Sequence, residues 1–464
     1  LIKTIEVKCL SRFFLYTHFT KNQIMIENLH KVVIVGGGAG GLELATKLGD
    51  SLGKKNKAHI TLIDSKKTHV WKPLLHEIAA GSLNADKDEL DYLAQAHWHH
   101  FNFRLGRMDT IDREKKEISL EPYNDSEGIQ IIPRRNFVYD TLVIAVGSTI
   151  NDFGIKGAKE HAIALDTPQQ AERFHQKLHN AILRAQTQAD AILPGQLEVV
   201  IVGAGATGVE LAAELHKATR EMTAYGLDKI NPDRDISISL IEASDRLLPA
   251  LPTRMSQSVE KELQKLKVNL YMGERVTEVS NKGIRTHKGR YINSALVVWA
   301  AGIKAPSFLR NLNLSINTIN QIEVLSTLQS KDDQSIFALG DCAACPQKPG
   351  SKSMVPPRAQ SAHQQASLLI KSIKKIILQK DATLPTYTYK DYGSLVNLGT
   401  YSTVGNLMGS LTGGSMFVEG LIARFMYLML YQMHLWALHG PTMVTLRLVA
   451  KFITRRTEAH VKLH

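Results

Sequence analysis

Six glycines and two acids carry the plainest chemistry in this 464-residue chain. Residues 32–48 read VVIVGGGAGGLELATKL and residues 199–215 read VVIVGAGATGVELAAEL; aligned without a gap they agree at 12 of 17 positions, 167 residues apart. Each copy satisfies G-x-G-x-x-G, with Gly36, Gly38 and Gly41 in the first and Gly203, Gly205 and Gly208 in the second. In such a motif the first glycine permits a sharp turn, the second lets the backbone approach a pyrophosphate, and the third lets helix and strand pack closely. The helix N-terminus then offers unpaired N–H groups to the anion. An acid ends the next strand in both copies: Asp64 in HITLIDS and Glu242 in DISISLIEASDRLLP. Either carboxylate suits a ribose diol, and Glu242 would repel a 2′-phosphate, so the second site is expected to prefer NADH to NADPH. Arg246 is the nearby cation that could oppose that preference. Two dinucleotide sites in one chain suggest one cofactor that stays and one that visits.

The elements that must position these residues alternate between strand and helix, the signature of parallel sheets covered by helices. The helix after the first fingerprint is expected to end at Gly49–Asp50, and FVYDTLVIAVGS (137–148) reads as one buried strand breaking at Gly147. ALVVWAAGI breaks at Gly302, and SIFALGDCAA (335–344) is a strand turning at Gly340–Asp341. CPQKPGSKSMVPPR is a loop, and a helix with a lysine-rich face follows it. From Pro385 the texture changes to strands and then to long apolar helices.

Bulk properties bound the partners. A net charge of +12 and a pI near 9.4 favour an anionic one: nucleic acid, lipid surface or polyphosphate cofactor. Three cysteines, Cys9, Cys342 and Cys345, leave no disulfide framework and fit a reducing compartment. Residues 1–24 lack a signal-peptide core and cleavage site, and read as an upstream extension ahead of a natural start at Met25.

The paired fingerprints and SIFALGDCAA together resemble the two-dinucleotide-binding-domain flavoproteins. That resemblance implies FAD on the first fingerprint and NADH on the second, with Asp341 reaching the flavin's ribityl chain. It extends the FAD site to Ala39, Gly40, Ser65, Gly147 and Ala359, and the NADH site to Gly302. The expected organisation is α/β: an extension at 1–30, FAD-binding segments at 31–160 and 301–380, an NADH-binding domain at 161–300, and a C-terminal membrane-anchoring region at 381–464. Disulfide-reductase chemistry is excluded, because no cysteine occurs between Gly36 and Asp341 to supply a thiolate. Cys342 and Cys345 follow the aspartate in a turn; two ligands cannot complete a tetrahedral zinc site, and they read as packing residues.

HVWKPLLHEIAAGSL (69–83), MVPPRAQSAHQQA (354–366) and YKDYGSLVNLGTYSTVGNL (389–407) carry a narrower resemblance, to the type II NADH:quinone oxidoreductases. In that family an A-Q-x-x-x-Q signature lines the quinone pocket, which maps to Ala359, Gln360 and Gln364. A glutamate at the position of Glu210 approaches the nicotinamide. Residue-level chemistry is compatible: amides bond a quinone carbonyl without adding charge to an apolar slot. Two glutamines four apart could equally cap a helix, and an acid on a first helical turn could merely complement the helix dipole, as Glu43 would in the first copy. Tyr392 stands where some members have a lysine; it donates a hydrogen bond but is neutral at pH 7. His97, His99 and His100 are too close in sequence to face one ion, so no metal is expected, and His76 is a candidate for the flavin's surroundings. The activity implied is non-pumping electron transfer from NADH through FAD to a respiratory quinone, ubiquinone or menaquinone. The alternatives are a soluble ferredoxin- or rubredoxin-type reductase and a slow-turnover flavin redox sensor.

The tail bears on location. Residues 421–438 are nearly continuously apolar but interrupted by Arg424, Gln432 and His434. Beyond them Arg447, Lys451 and Arg455 recur every four residues beside an apolar face of Leu448, Val449, Phe452 and Ile453. A helix so built lies on an anionic lipid surface, which predicts a peripheral, monotopic enzyme on the cytoplasmic face of the inner membrane. The same face would serve a homodimer, and the two uses are compatible. No nucleic-acid-binding module accompanies the positive charge.

Overall fold

The structure is a computed structural model that describes residues 29–84, 89–224, 229–379, 383–399, 401–409 and 414–454. Most of the expected extension, Met25, Cys9, Arg455 and the terminal VKLH lie outside the described residues. The chain divides into two compact units, one drawn from 1–69, 90–147 and 305–389, the other from 70–89, 148–304 and 390–464.

The first unit is built on a five-stranded parallel sheet in the order Ile336–Ala338, Thr141–Ile144, His30–Val35, Ala58–Asp64, Asn102–Leu105. The fingerprint strand is central, with Val33 opposite Thr61 on one side and Leu142 on the other. A parallel strand covered on both faces must be apolar throughout, and Val32, Val33, Ile34 and Val35 are all buried. The helices Ala39–Leu48 and Ala359–Leu378 pack against one another in this unit.

The first α-helix ends at Leu48 with Gly49 as its C-cap, where the sequence places its end, and the chain runs on through one wide turn, Gly49–Gly53, which Lys54 N–H closes onto the Gly49 carbonyl at 2.8 Å. Both glycines also serve close approach, since an added Cβ would lie 2.0 Å from the His99 carbonyl oxygen at Gly49 and 2.2 Å from that of His100 at Gly53. One local reading changes. Residues 137–148 form two strands, not one. Arg135–Val138 joins an antiparallel sheet, and the chain breaks at Asp140, whose carboxylate accepts the Lys31 N–H at 2.7 Å, before Thr141–Ile144 enters the parallel one.

The second unit repeats the plan, with strand order Ile163–Ala164, Leu296–Trp299, Glu198–Val202, Ser237–Ile241, Asn269–Tyr271. Its helix Pro168–Thr187 starts where Thr167 Oγ1 accepts the Gln170 N–H at 3.2 Å and proline occupies a first-turn position that needs no donor. The C-terminal strands Gly393–Leu398, Ser402–Gly409 and Gly414–Glu419 form an antiparallel sheet in this same unit. Val396, Leu398 and Val404 share a buried cluster with Leu211 and Leu215 of the second fingerprint helix, so these strands complete the core around the second nucleotide fold. The helices Leu421–His439 and Pro441–Thr454 follow.

Candidate active site

The sequence repeat is a repeat in space. Gly36 N–H donates to the Ile63 carbonyl at 2.8 Å, and Gly203 N–H to the Ile241 carbonyl at 2.7 Å. Both turns need the left-handed half of backbone space, with φ of +106° at Gly36 and +104° at Gly203. At the third glycines an added Cβ would lie 1.9 Å from the Gly36 oxygen for Gly41 and 2.0 Å from the Gly203 oxygen for Gly208. At the second glycines the space is open: a Cβ on Gly38 would find its nearest contact, the Ala145 oxygen, at 4.0 Å, and one on Gly205 nothing within 4 Å. That pattern, closed beneath and open above a helix N-terminus, is a cradle for a pyrophosphate.

The acids are aimed by backbone donors in the same way. Asp64 accepts N–H bonds from Gly37 at 2.6 Å and Lys66 at 2.8 Å; Glu242 accepts from Ala204 at 2.8 Å and Ser244 at 2.9 Å. Burial raises the Asp64 pKa from the usual carboxylate value, and those two backbone bonds oppose the rise. Arg246 is already engaged, with its guanidinium on the carbonyls of Leu251 and Pro249 at 2.9 and 2.7 Å. It is therefore not poised to meet a 2′-phosphate. Glu242→Ser is expected to raise the NADPH-to-NADH ratio of kcat/KM about tenfold or more. An unchanged ratio in steady-state kinetics would count against the ribose contact.

Around the first cradle the unit gathers the other expected FAD residues. An added Cβ on Gly40 would meet Leu339 at 2.6 Å and the Ala362 oxygen at 3.1 Å, so the fingerprint helix, the turn after the strand Ile336–Ala338 and the helix starting at Ala359 converge there. Gly340 N–H donates to Gln365 Oε1 at 2.7 Å, and Gln321 Nε2 donates to the Asp341 carbonyl at 2.9 Å, fastening the turn that carries Asp341. Gly147 is left-handed (φ +66°) with open space above it, and Ser65 is exposed beside Asp64. Gln365 and Gln321 carried no sequence signal, because their roles come from contacts far apart in the chain. In the second cradle an added Cβ on Gly203 would meet Ala301, next to Gly302, at 2.7 Å; Gly302 itself lies against the Phe153 ring.

Glu210 is not a surface acid on a first turn. It is 6% exposed, its carboxylate accepts the Asn397 N–H at 3.0 Å, and the His76 Nδ1 lies 3.7 Å away. Burial pushes its pKa up to about 8, with the Glu77 charge adding to the rise, and pulls His76 down to about 4. A protonated carboxyl therefore faces a neutral imidazole near pH 7. Glu214, one turn on, accepts from Ser82 Oγ at 2.6 Å and Lys217 Nζ at 3.1 Å. Glu43, the equivalent of Glu210 in the first copy, is buried too, but it pairs with His363 Nδ1 at 2.6 Å, and that bond raises the histidine's pKa.

Gln360 and Gln364 stand on the first two turns of the helix Ala359–Leu378, half-buried, with Tyr387 O–H donating to Gln364 Oε1 at 3.4 Å. Both glutamines fall in the first unit, and Tyr392, 56% exposed, falls in the second. The structure places His76 in the second unit, in the helix Leu75–Ala80. His97 and His100 are exposed, and His99 sits 3.1 Å from Asp50. Cys342 and Cys345 are buried, and burial pushes both thiols up to about 12, so neither is a thiolate near neutrality.

Comparison with known proteins agrees with this geometry. The family model described as pyridine nucleotide-disulphide oxidoreductase matches residues 30–366. The chain is 40% identical over 449 residues to a type II NADH:quinone oxidoreductase of Haemophilus influenzae, covering 94% of this chain and 100% of that relative. It is 26% identical to the Staphylococcus aureus protein of the same name, covering 84% and 92%. A solved structure of NDH2 from Plasmodium falciparum in complex with NADH shares the fold, with a TM-score of 0.77 at 20% identity over 93% of this chain and 100% of that one. A duplicated dinucleotide fold matched over this length leaves one assignment: the chain belongs to the pyridine nucleotide-disulphide oxidoreductases and, among them, to the type II NADH:quinone oxidoreductases.

Proposed function

We infer that this protein is an FAD-dependent NADH:quinone oxidoreductase, which moves electrons from NADH to a respiratory quinone without pumping protons. The observation that carries the reading is the doubled cradle, each copy ending in an acid braced by two backbone N–H groups. The first copy fits FAD. The open face at Gly38, with Ala39, Gly40 and Gly41 behind it, takes the pyrophosphate; Asp64 and Ser65 take the ribose; Asp341 takes the ribityl chain; Gly147 and Ala359 flank the ring. FAD, when bound, supplies the two-electron relay between nicotinamide and quinone. The second copy takes NADH through Gly203, Gly205 and Gly208, with Glu242 on the ribose, Gly302 along the nicotinamide half and Glu210 beside the ring. Gln360 and Gln364 hold the quinone carbonyls with neutral donors. In this division residues 31–160 and 301–380 serve FAD and 161–300 serve NADH. Purified protein given NADH and a short-chain quinone should turn over continuously. Flavin reduction without reoxidation would favour the redox sensor instead, and equal rates with a ferredoxin or rubredoxin would favour the soluble reductase.

The enzyme works at an anionic lipid surface, held by its last two described helices. Leu421, Phe425 and Leu428 form one exposed stripe on the first of them, while Ala423, His434 and Leu438 on its other side are buried. Met443, Leu446 and Val449 add exposed apolar area on the second. Among the described residues no helix is long and apolar enough to cross a membrane, which suits a helix pair lying in the interface. Phe425→Glu with Leu428→Glu should move the protein from floating with anionic phospholipid vesicles to the soluble fraction. A stable dimer on sizing without vesicle binding would assign the stripe to a second copy of the chain.

A further inference from the structure

The two cradles differ first at the residue after the leading glycine, Gly37 in one and Ala204 in the other. The reason is a contact made in the first copy alone. The Gly37 carbonyl accepts the Tyr92 O–H at 2.7 Å and His69 Nδ1 at 2.9 Å, and both side chains are buried, at 2% and 5% exposure. An added Cβ at residue 37 would lie 2.4 Å from the Tyr92 oxygen, so glycine is required wherever the tyrosine sits. The Ala204 carbonyl instead accepts the backbone N–H of Leu248 at 2.9 Å.

Peptide planarity gives the contact a consequence for the ligand. In a trans peptide the carbonyl and the following N–H point in opposite directions. Holding the Gly37 oxygen inward therefore turns the Gly38 N–H toward the open side of the turn, where a pyrophosphate belongs. Three consecutive glycines, Gly36 to Gly38, would otherwise make this the loosest stretch of the chain, since glycine loses the most backbone freedom on ordering. A peptide already ordered in the folded protein spares the ligand that cost and slows its release.

We propose that Tyr92 and His69 are positioning residues that clasp the phosphate-facing peptide of the first cradle, and that this clasp makes the first dinucleotide resident while the second exchanges. The inference rests on the reading of the first cradle as the FAD site. His69 acts as a neutral imidazole with its proton on Nδ1; burial holds its pKa down at about 4, so the bond persists across the physiological range. Tyr92 is further set by its stacking on Phe103, with ring centroids 5.0 Å apart.

The test compares cofactor release with the stability of the protein lacking it. Tyr92→Phe keeps the stacked ring and removes the hydroxyl. FAD release from the holoenzyme, followed by flavin fluorescence after dilution, should accelerate about fivefold to tenfold. The double variant with His69→Leu should accelerate it further, while His69→Gln, which keeps a donor, should stay nearer wild type. The KM for NADH and the melting temperature of the apoprotein should hold. FAD release within about twofold of wild type in the double variant would overturn the proposal. So would an apoprotein weakened as much as the holoenzyme, because the pair would then serve the fold and not the cofactor. A wild-type preparation that never binds flavin would sink the assignment of the site instead.

Discussion

Gly41→Ala should yield a protein without flavin colour, and Gly208→Ala a yellow protein that NADH fails to reduce. The two substitutions are chemically identical and fall at equivalent places in the two cradles, so their opposite phenotypes separate the two ligands. At each site the added methyl would collide with backbone: the Gly36 oxygen at 1.9 Å and the Gly203 oxygen at 2.0 Å. No rotamer can relieve such a clash, and the helix must shift on the order of an ångström away from its strand. That displacement carries the N-terminal N–H groups out of line with the pyrophosphate, where the bonding falls off steeply with angle and distance. The expected loss is at least about tenfold in FAD occupancy for Gly41→Ala and at least about a hundredfold in the rate of flavin reduction by NADH for Gly208→Ala. Visible absorbance per protein and stopped-flow reduction read the two directly. If Gly208→Ala lost its flavin while Gly41→Ala kept it, the order of the two cofactors would be reversed.

Legibility in the sequence followed the range of the interactions. The cradles were readable because their determinants lie within about ten residues of one another: a buried strand, a left-handed turn, a glycine against the strand and a helix N-terminus. Gly36, Gly41, Gly203 and Gly208 stand where that logic put them, and the acids Asp64 and Glu242 end the next strands. Contacts across long chain separations were not readable. Tyr92 meets Gly37 across 55 residues, Glu214 meets Ser82 across 132, and Asn397 meets Glu210 across 187, and no local periodicity encodes such pairs. Glu210 shows the limit plainly. A glutamate on a first helical turn looks like a dipole partner in water, and its burial under the strand Gly393–Leu398 comes from a segment far along the chain. The mismatch between Gly37 and Ala204 was visible as a letter change, but its cause needed the tyrosine in place.

Replacing Glu210 by Gln is expected to remove the alkaline decline in folding stability, and the sign follows from proton counting. Unfolded, Glu210 releases its proton near 4.5; folded, near 8, because burial disfavours the carboxylate. Between those values the native state holds a proton that the unfolded chain lacks, so stability falls as pH rises, by at most about 1.4 kcal/mol per unit. His76 does the reverse. Its pKa drops from 6.5 to about 4 on folding, so from 4 to 6.5 the unfolded chain holds the extra proton and stability rises with pH. From about 4.5 to 6.5 the two slopes oppose and largely cancel, which leaves the wild type with a net decline from about 6.5 to 8. Glu77, Glu214, Lys217 and the Tyr427 hydroxyl surround this pair, and Glu77 and Glu214 add to the field at one or other member of it. Glutamine keeps an acceptor for the Asn397 N–H while removing the ionisation, so Glu210→Gln should show stability rising from 4 to 6.5 and then flat to 8. Its advantage over wild type should grow by about 4 kcal/mol between pH 4.5 and 8, because both proteins keep His76, read from urea midpoints at each pH. The same substitution should remove any kinetic transition near pH 8 in NADH oxidation. A wild-type stability profile already flat between 6.5 and 8, matched by the variant, would mean that Glu210 is ionised in the native protein, and the role proposed for it beside the nicotinamide would have to be that of a fixed negative charge and not a held proton.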